Sequence, residues 1–260
     1  MTRSYGGHYF SPSQSLWIDG LLATVPRTEP ARTLARAALV QAASQCAAAP
    51  GHTAQPFQPT RTARRFLADA WQRDVIEATK SAFFALSSAR AKTKGRAEVK
   101  DANDAAKTLR RGDLVFIDPP YSGVHYSRFY HVLETIARGD CGKVSGVGRY
   151  PVSEERPWSR YSVTSEASTA LDELLKTISG RGAKAILTFP DHKCSNGLSG
   201  RSVRRIARKH FRITTERVKS LFSTMGGTGN KGHKRKQAKR GARHIAKELM
   251  LVLKPKQATR

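Results

Sequence analysis

From residue 99 onward the chain alternates short apolar runs with helical stretches, and that alternation predicts an α/β fold with a mainly parallel sheet. The run "LVFI", Leu114 to Ile117, is bounded by turn signals, the pattern of a strand buried on both faces. The run does not end in a single glycine or proline. It ends in Asp118-Pro119-Pro120-Tyr121, an acidic, stiff, aromatic corner at the carboxyl edge where open α/β sheets bind ligands.

Ahead of this core, residues 1–98 read as mainly helical. Ser11 is a helix cap with Pro12 at the first helical position, and Leu16, Trp17, Leu21 and Leu22 form an apolar stripe. An alanine-rich helix follows, stopping at Pro50-Gly51. "TARRFLADAWQRDVIEATKSAFFALSSAR" predicts one long helix with Phe66, Trp71, Val75, Ile76, Phe83 and Phe84 on a broad inner face. A short strand near Val99 and a turn or helix from Asp101 to Leu109 lead into "LVFI".

After the corner, residues 125–138 read as a helix with Phe129, Val132, Leu133 and Ile136 on one side. The core is expected over 99–138 and 165–255, interrupted by a polar loop at 139–164 and followed by a tail at 256–260. Within it come a helix stopped by Gly180 and Gly182, the strand "AKAILTFPD", the basic amphipathic helix "SGRSVRRIARKHF", and the strands "RITTERVKSLF" and "KELMLVLKP".

Lys and Arg total 46 against 20 Asp and Glu, a formal charge of +26 over 260 residues. So large an imbalance opposes compaction and favours a polyanionic partner, nucleic acid first. No apolar run reaches the roughly 18 residues a membrane-spanning helix needs. "MTRSYGGHYF" lacks the apolar stretch of a secretory signal. Cys46, Cys141 and Cys194 are far apart and odd in number, which fits a reducing, cytoplasmic setting. His192 and Cys194 have no second ligand pair, so no metal site is expected.

The corner's chemistry follows from its residue types. Asp118 is one acceptor and the Pro119 carbonyl a second, while the two prolines restrict the backbone before any ligand arrives. Tyr121 offers a flat face. Two fixed acceptors beside an aromatic ring suit an exocyclic amine on a planar heterocycle. Accepting both amine hydrogens leaves the nitrogen lone pair free to attack an electrophilic methyl carbon.

"DPPY" after an apolar strand resembles motif IV of the amino-methyltransferases that act on nucleic acid, and its continuation "SGVHYSRFYHVLETI" resembles the DNA adenine methylase family. "YGGHYFSPSQSLWID", "GHTAQPF", "ILTFPD" and "KELMLVL" are similar to further segments of that family. The resemblance implies a Rossmann-like fold, S-adenosylmethionine as methyl donor, and methylation of adenine N6 in DNA within a restriction-modification setting. It implies that Asp118 and Pro119 orient the amine, that Pro120 stiffens the corner, and that Tyr121 stacks on a base flipped from the duplex. Asp101 resembles the acid that contacts the adenine end of the donor, and Asp118 borders the same site. Aspartate at the head of the motif favours adenine, with cytosine N4 and an RNA target left open.

The family's glycine-rich donor loop, resembling F-x-G-x-G after a first strand, does not precede residue 112. "GTGNKG", Gly227 to Gly232, lies beside a lysine-arginine run and reads as a flexible basic loop. The chain thus resembles a methyltransferase lacking its amino-terminal first strands. Donor binding would then need a second polypeptide, or be lost, leaving a silent DNA-binding module. Two basic clusters flank the corner and are expected to follow a phosphate track: Arg204, Arg205 and Arg208, then Lys231, Lys234, Arg235, Lys236, Lys239, Arg240 and Arg243. The loop at 139–164, with Arg149, Tyr150, Arg156, Trp158, Arg160 and Tyr161, is the candidate for reading the target sequence.

Overall fold

The computed structural model describes residues 1–89, 91–223 and 243–256. In chain order the helices among them are α1 Thr2–Tyr5, α2 Pro12–Ala23, α3 Ala31–Cys46, α4 Arg64–Trp71, α5 Val75–Ser88, α6 Ala102–Ala106, α7 Ser127–Arg138, α8 Ala167–Gly180 and α9 Gly200–His210. The strands are β1 Leu114–Ile117, β2 Val144–Ser145, β3 Tyr150–Pro151, β4 Lys184–Pro190, β5 Phe211–Ser223 and β6 Arg243–Pro255. The segment around Val99 forms no strand. Among the described residues no helix is long and apolar enough to cross a membrane.

The chain forms two units. The first comprises Met1–Arg96 with Ser127–Pro157, and the second comprises Ala97–Tyr126 with Trp158–Arg260. Helix α7, expected beside the sheet, therefore belongs to the helical unit together with the β2–β3 hairpin. Val132 and Ile136 of α7 join the core that Tyr5, Tyr9, Phe10, Ile18 and Leu39 build.

Local capping chemistry sets the helix ends of this first unit. Ser11 Oγ accepts from the Gln14 amide at 3.2 Å and Gln14 Oε1 accepts from the Ser11 amide at 2.9 Å, a reciprocal box with Pro12 just inside. The apolar stripe expected on α2 does not hold in full: Leu16 and Trp17 face outward, and Gln14, Ser15 and Ile18 are buried instead. Gln14 earns its interior place by donating to the Ala70 and Arg73 carbonyls, at 2.9 and 2.8 Å, where α4 ends. The long helix expected through residues 62–90 is two helices. The Asp74 carboxylate accepts from the Ile76 and Glu77 amides at 2.7 and 3.1 Å and starts α5 afresh. The break re-aims the apolar residues, and Phe66 and Phe84 are exposed.

The second unit is a four-stranded sheet in the order β1-β4-β6-β5. Only β1 and β4 are parallel; β6 runs antiparallel to both β4 and β5. The expectation of a mainly parallel sheet is thus corrected to a mixed one. β6 lies between β4 and β5 and runs against both, so two of the three pairings are antiparallel. Alternate residues Ala185, Leu187 and Phe189 of β4 lie opposite Leu253, Leu251 and Leu249 of β6, and all are buried. Leu171, Leu174, Leu175 and Ile178 of α8 and Val203, Ile206 and Ala207 of α9 complete this core.

Strand β1 departs from the sequence expectation as well. It is an edge strand, and Leu114 and Phe116 are each 67% exposed while Ile117 is buried. Its alternation is therefore that of a strand covered on one face, even though all four side chains are apolar. The burial pattern separates two leucines of similar chemistry. Leu187→Ala should lower unfolding free energy by about 2–5 kcal/mol, and Leu114→Ala by less than about 0.5 kcal/mol, measured by urea unfolding of the full chain; equal losses would contradict this sheet arrangement.

Candidate active site

The corner begins where β1 ends. Asp118 is exposed, and its Oδ1 accepts from the Thr188 hydroxyl of β4 at 2.9 Å. It has no salt-bridge partner among the described residues, so the carboxylate is oriented without being neutralised. Pro119 is buried in the turn. The two proline carbonyls have different fates. The Pro120 carbonyl accepts from Asn196 Nδ2 at 2.8 Å, whereas the Pro119 carbonyl receives no hydrogen bond from the described residues.

Asn196 is fully buried in the loop that follows β4. Its Nδ2 also donates to the Tyr161 carbonyl at 3.0 Å, and its Oδ1 accepts from the Leu198 amide at 3.2 Å. One amide side chain therefore ties the corner, the start of the α8 approach and its own loop into one network. A second tie lies one residue away, where the Ser195 hydroxyl accepts from the Gly123 amide at 2.9 Å. The close approach demands glycine: a Cβ at position 123 would sit 2.8 Å from the Ser195 carbonyl oxygen. Thr188, Ser195, Asn196 and Gly123 were not singled out from sequence. Only the "SNG" turn chemistry after "ILTFPD" signalled a structured loop there.

Asp118, Pro119 and Pro120 line a cavity of about 700 Å³ that runs along β1 to α6, with Phe116, Trp158 and Asp101 among its other walls. Trp158 is 60% exposed and offers a broad aromatic surface. Asp101 caps α6, its Oδ1 accepting from the Asn103 and Asp104 amides at 2.8 and 3.3 Å, and its Oδ2 has no hydrogen-bond partner among the described residues. Tyr161 donates to Asn103 Oδ1 at 2.6 Å. Burial, and then the Asp101 charge, hold its phenol above the usual tyrosine range. Asp101 and Asp118 thus border one cavity. Tyr121 does not line it: the ring is half exposed and stands edge-on to Tyr126, with centroids 6.3 Å apart.

The residues of the 139–164 loop divide between the two units. Arg149 donates to the Ser4 carbonyl at 2.7 Å, the Tyr150 hydroxyl donates to the Ala54 carbonyl, and Arg156 donates to the Pro151 carbonyl at 2.8 Å. Arg160 pairs with Glu166 and Glu173. Trp158 alone of the six presents a largely free side chain, and it does so on the cavity. On α9, Arg204 pairs with Asp191, and Arg205 and Arg208 are exposed. Lys231, Lys234, Arg235, Lys236, Lys239, Arg240 and the "GTGNKG" segment lie outside the described residues; Arg243 is the first residue of β6. Among the described residues no group of His, Cys, Asp and Glu is placed to hold a metal ion.

Comparisons with known proteins converge on one chemistry. The chain is 43% identical over 68 residues to the modification methylase LlaI of Lactococcus lactis subsp. lactis, covering 26% of this chain and 10% of that protein. It is 37% identical over 78 residues to the type II methyltransferase M.FokI of Planomicrobium okeanokoites, covering 30% and 12%. It is 29% identical over 79 residues to the modification methylase StsI of Streptococcus sanguinis, again covering 30% and 12%. The matched stretch thus spans about a tenth of the length of these relatives. No solved structure matches the chain. The family described as D12 class N6 adenine-specific DNA methyltransferase matches residues 37–188, more than half of the sequence and the whole of the Asp118–Tyr121 corner, and this chain belongs to that family.

Proposed function

We propose that the chain transfers a methyl group from S-adenosylmethionine to N6 of adenine in DNA, on a Rossmann-like core. The observation that carries the reading is the state of the corner's acceptors. The Asp118 carboxylate is exposed on a cavity and held by Thr188 without a cation, beside a Pro119 carbonyl that no described residue occupies. An adenine amine donates one N–H to each. Its lone pair is then directed away from the protein, toward the donor. The donor supplies a methyl carbon bound to a sulfonium, with a neutral thioether as leaving group. The new N–C bond would form as the donor's S–C bond breaks, and the methylated amine would pass one proton to the Asp118 carboxylate and from there to solvent. Asp118 orients the amine and stabilises the positive charge that develops on it.

The cavity suits the adenosyl part of the donor. Its walls are apolar and aromatic at Phe116 and Trp158, and the second carboxylate oxygen of Asp101 would accept from a ribose hydroxyl or ring amine. The sequence carries no F-x-G-x-G loop for the amino-acid end of the donor. A further segment, in a longer form of this chain or in a second polypeptide, would supply this loop. The outer edge of β1 has no strand partner among the described residues and borders the cavity, so it is where a strand of that segment would add. Reading of the target sequence by the 139–164 loop, stacking by Tyr121, and phosphate contacts from the basic carboxyl-terminal third complete the reading.

Asp118→Ala should reduce methyl transfer to adenine-containing duplex by more than about a hundredfold while duplex affinity stays within about twofold. The check is transfer of labelled methyl, with the chain alone and with the glycine-loop polypeptide, alongside DNA binding. Equal loss of transfer and affinity would make the corner structural. Absence of donor binding by calorimetry in both settings would leave a silent DNA-binding module. Asn196→Ala should cost about 1–3 kcal/mol of stability and lower the maximal rate with little change in the KM for DNA, separable by denaturant unfolding and steady-state kinetics.

A further inference from the structure

Arg201, Arg204 and Arg208 recur at helical spacing on one side of α9, and with Thr215 and Arg217 of β5 they line a cleft of about 390 Å³. Four arginines line this cleft, and one carboxylate pairs with two of them. Asp191, at the end of β4, accepts from Arg204 at 3.1 Å and from Arg217 at 3.0 Å. It therefore orients two of the arginines and neutralises one charge. Arg201 and Arg208 are exposed and have no carboxylate partner among the described residues. Like charges are not gathered in this way for stability, since each added guanidinium raises the repulsion on the others. The hydrophobic anchoring of α9 through Val203, Ile206 and Ala207 offsets that repulsion and fixes the spacing.

We infer that this cleft is a docking site for backbone phosphates of DNA, with Arg201 and Arg208 as its free contacts and Arg204 and Arg217 as its Asp191-oriented pair. The inference rests on DNA being the partner and adds where the strand is gripped. A guanidinium meets a phosphate with two parallel N–H bonds, which a lysine ammonium does not reproduce. The seven-residue step from Arg201 to Arg208 rises about 10 Å along the helix, about three nucleotides at 3.4 Å each. Arg205, which the sequence grouped with Arg204 and Arg208, does not line the cleft.

The test is binding of a labelled duplex by the full chain across a salt series. Arg201→Ala with Arg208→Ala should flatten the slope of log K against log salt by about 2 and weaken binding more than tenfold at low salt. Arg201→Lys with Arg208→Lys should keep the slope and lose part of the affinity. Arg110→Ala with Arg181→Ala removes the same charge from other exposed positions and should change the affinity by less than threefold. Unchanged slope and affinity in the first variant, or an equal loss in the third, overturns the inference. In either case wild-type binding and methyl transfer would still stand, so the outcome separates this site from the proposed reaction.

Discussion

The site depends on a hydrogen bond between elements far apart in sequence: the Asn196 amide, fully buried, donating to the Pro120 carbonyl. An unpaired amide in that position would carry a desolvation cost of about 1–3 kcal/mol, so the loop after β4 and the corner after β1 are held in one arrangement. The Thr188–Asp118 and Gly123–Ser195 bonds act in the same direction. They leave the Pro119 carbonyl and the second carboxylate oxygen of Asp118 without a partner among the described residues, which are the acceptors that the proposed reaction would use. The corner is therefore preorganised by its neighbour strand, beyond the stiffness its own prolines provide.

The sheet explains why the neighbour strand is available. Parallel pairing of β1 with β4 brings both carboxyl ends to one edge, so the turns that leave them meet. The antiparallel β5–β6 pair buries the far side of β4 and lets α9 lie over β5, which is what gathers the arginines. Acidic corner and basic cleft thus arise from different ends of the same small sheet. The first would handle a base and the second the backbone that carries it.

Much of this was legible locally. The Ser11-Pro12 start of α2 and the amphipathic α9 rest on contacts within a turn or two, and short motifs encode them directly. The edge position of β1 was not legible, because four apolar residues in a row look the same in a central strand and in one whose outer face is open. The split between α4 and α5 turned on whether Asp74 would cap or remain on a helix face, and both fit the pattern. Thr188 and Asn196 were invisible for a different reason. Their partners lie 70 and 76 residues away, and no spacing rule reaches so far. The pairing of Asp191 with Arg204 of α9 and Arg217 of β5 has the same origin.

The central claim is that Asp118 and the Pro119 carbonyl jointly receive an adenine amine. A crystal structure of the chain with an adenine-containing oligonucleotide tests it most directly. The account predicts the N6 nitrogen within about 2.7–3.2 Å of both a carboxylate oxygen of Asp118 and the Pro119 carbonyl, with Asn196 still bonded to Pro120. A base seated elsewhere, with its amine away from Asp118 and the Pro119 carbonyl turned aside, would contradict it.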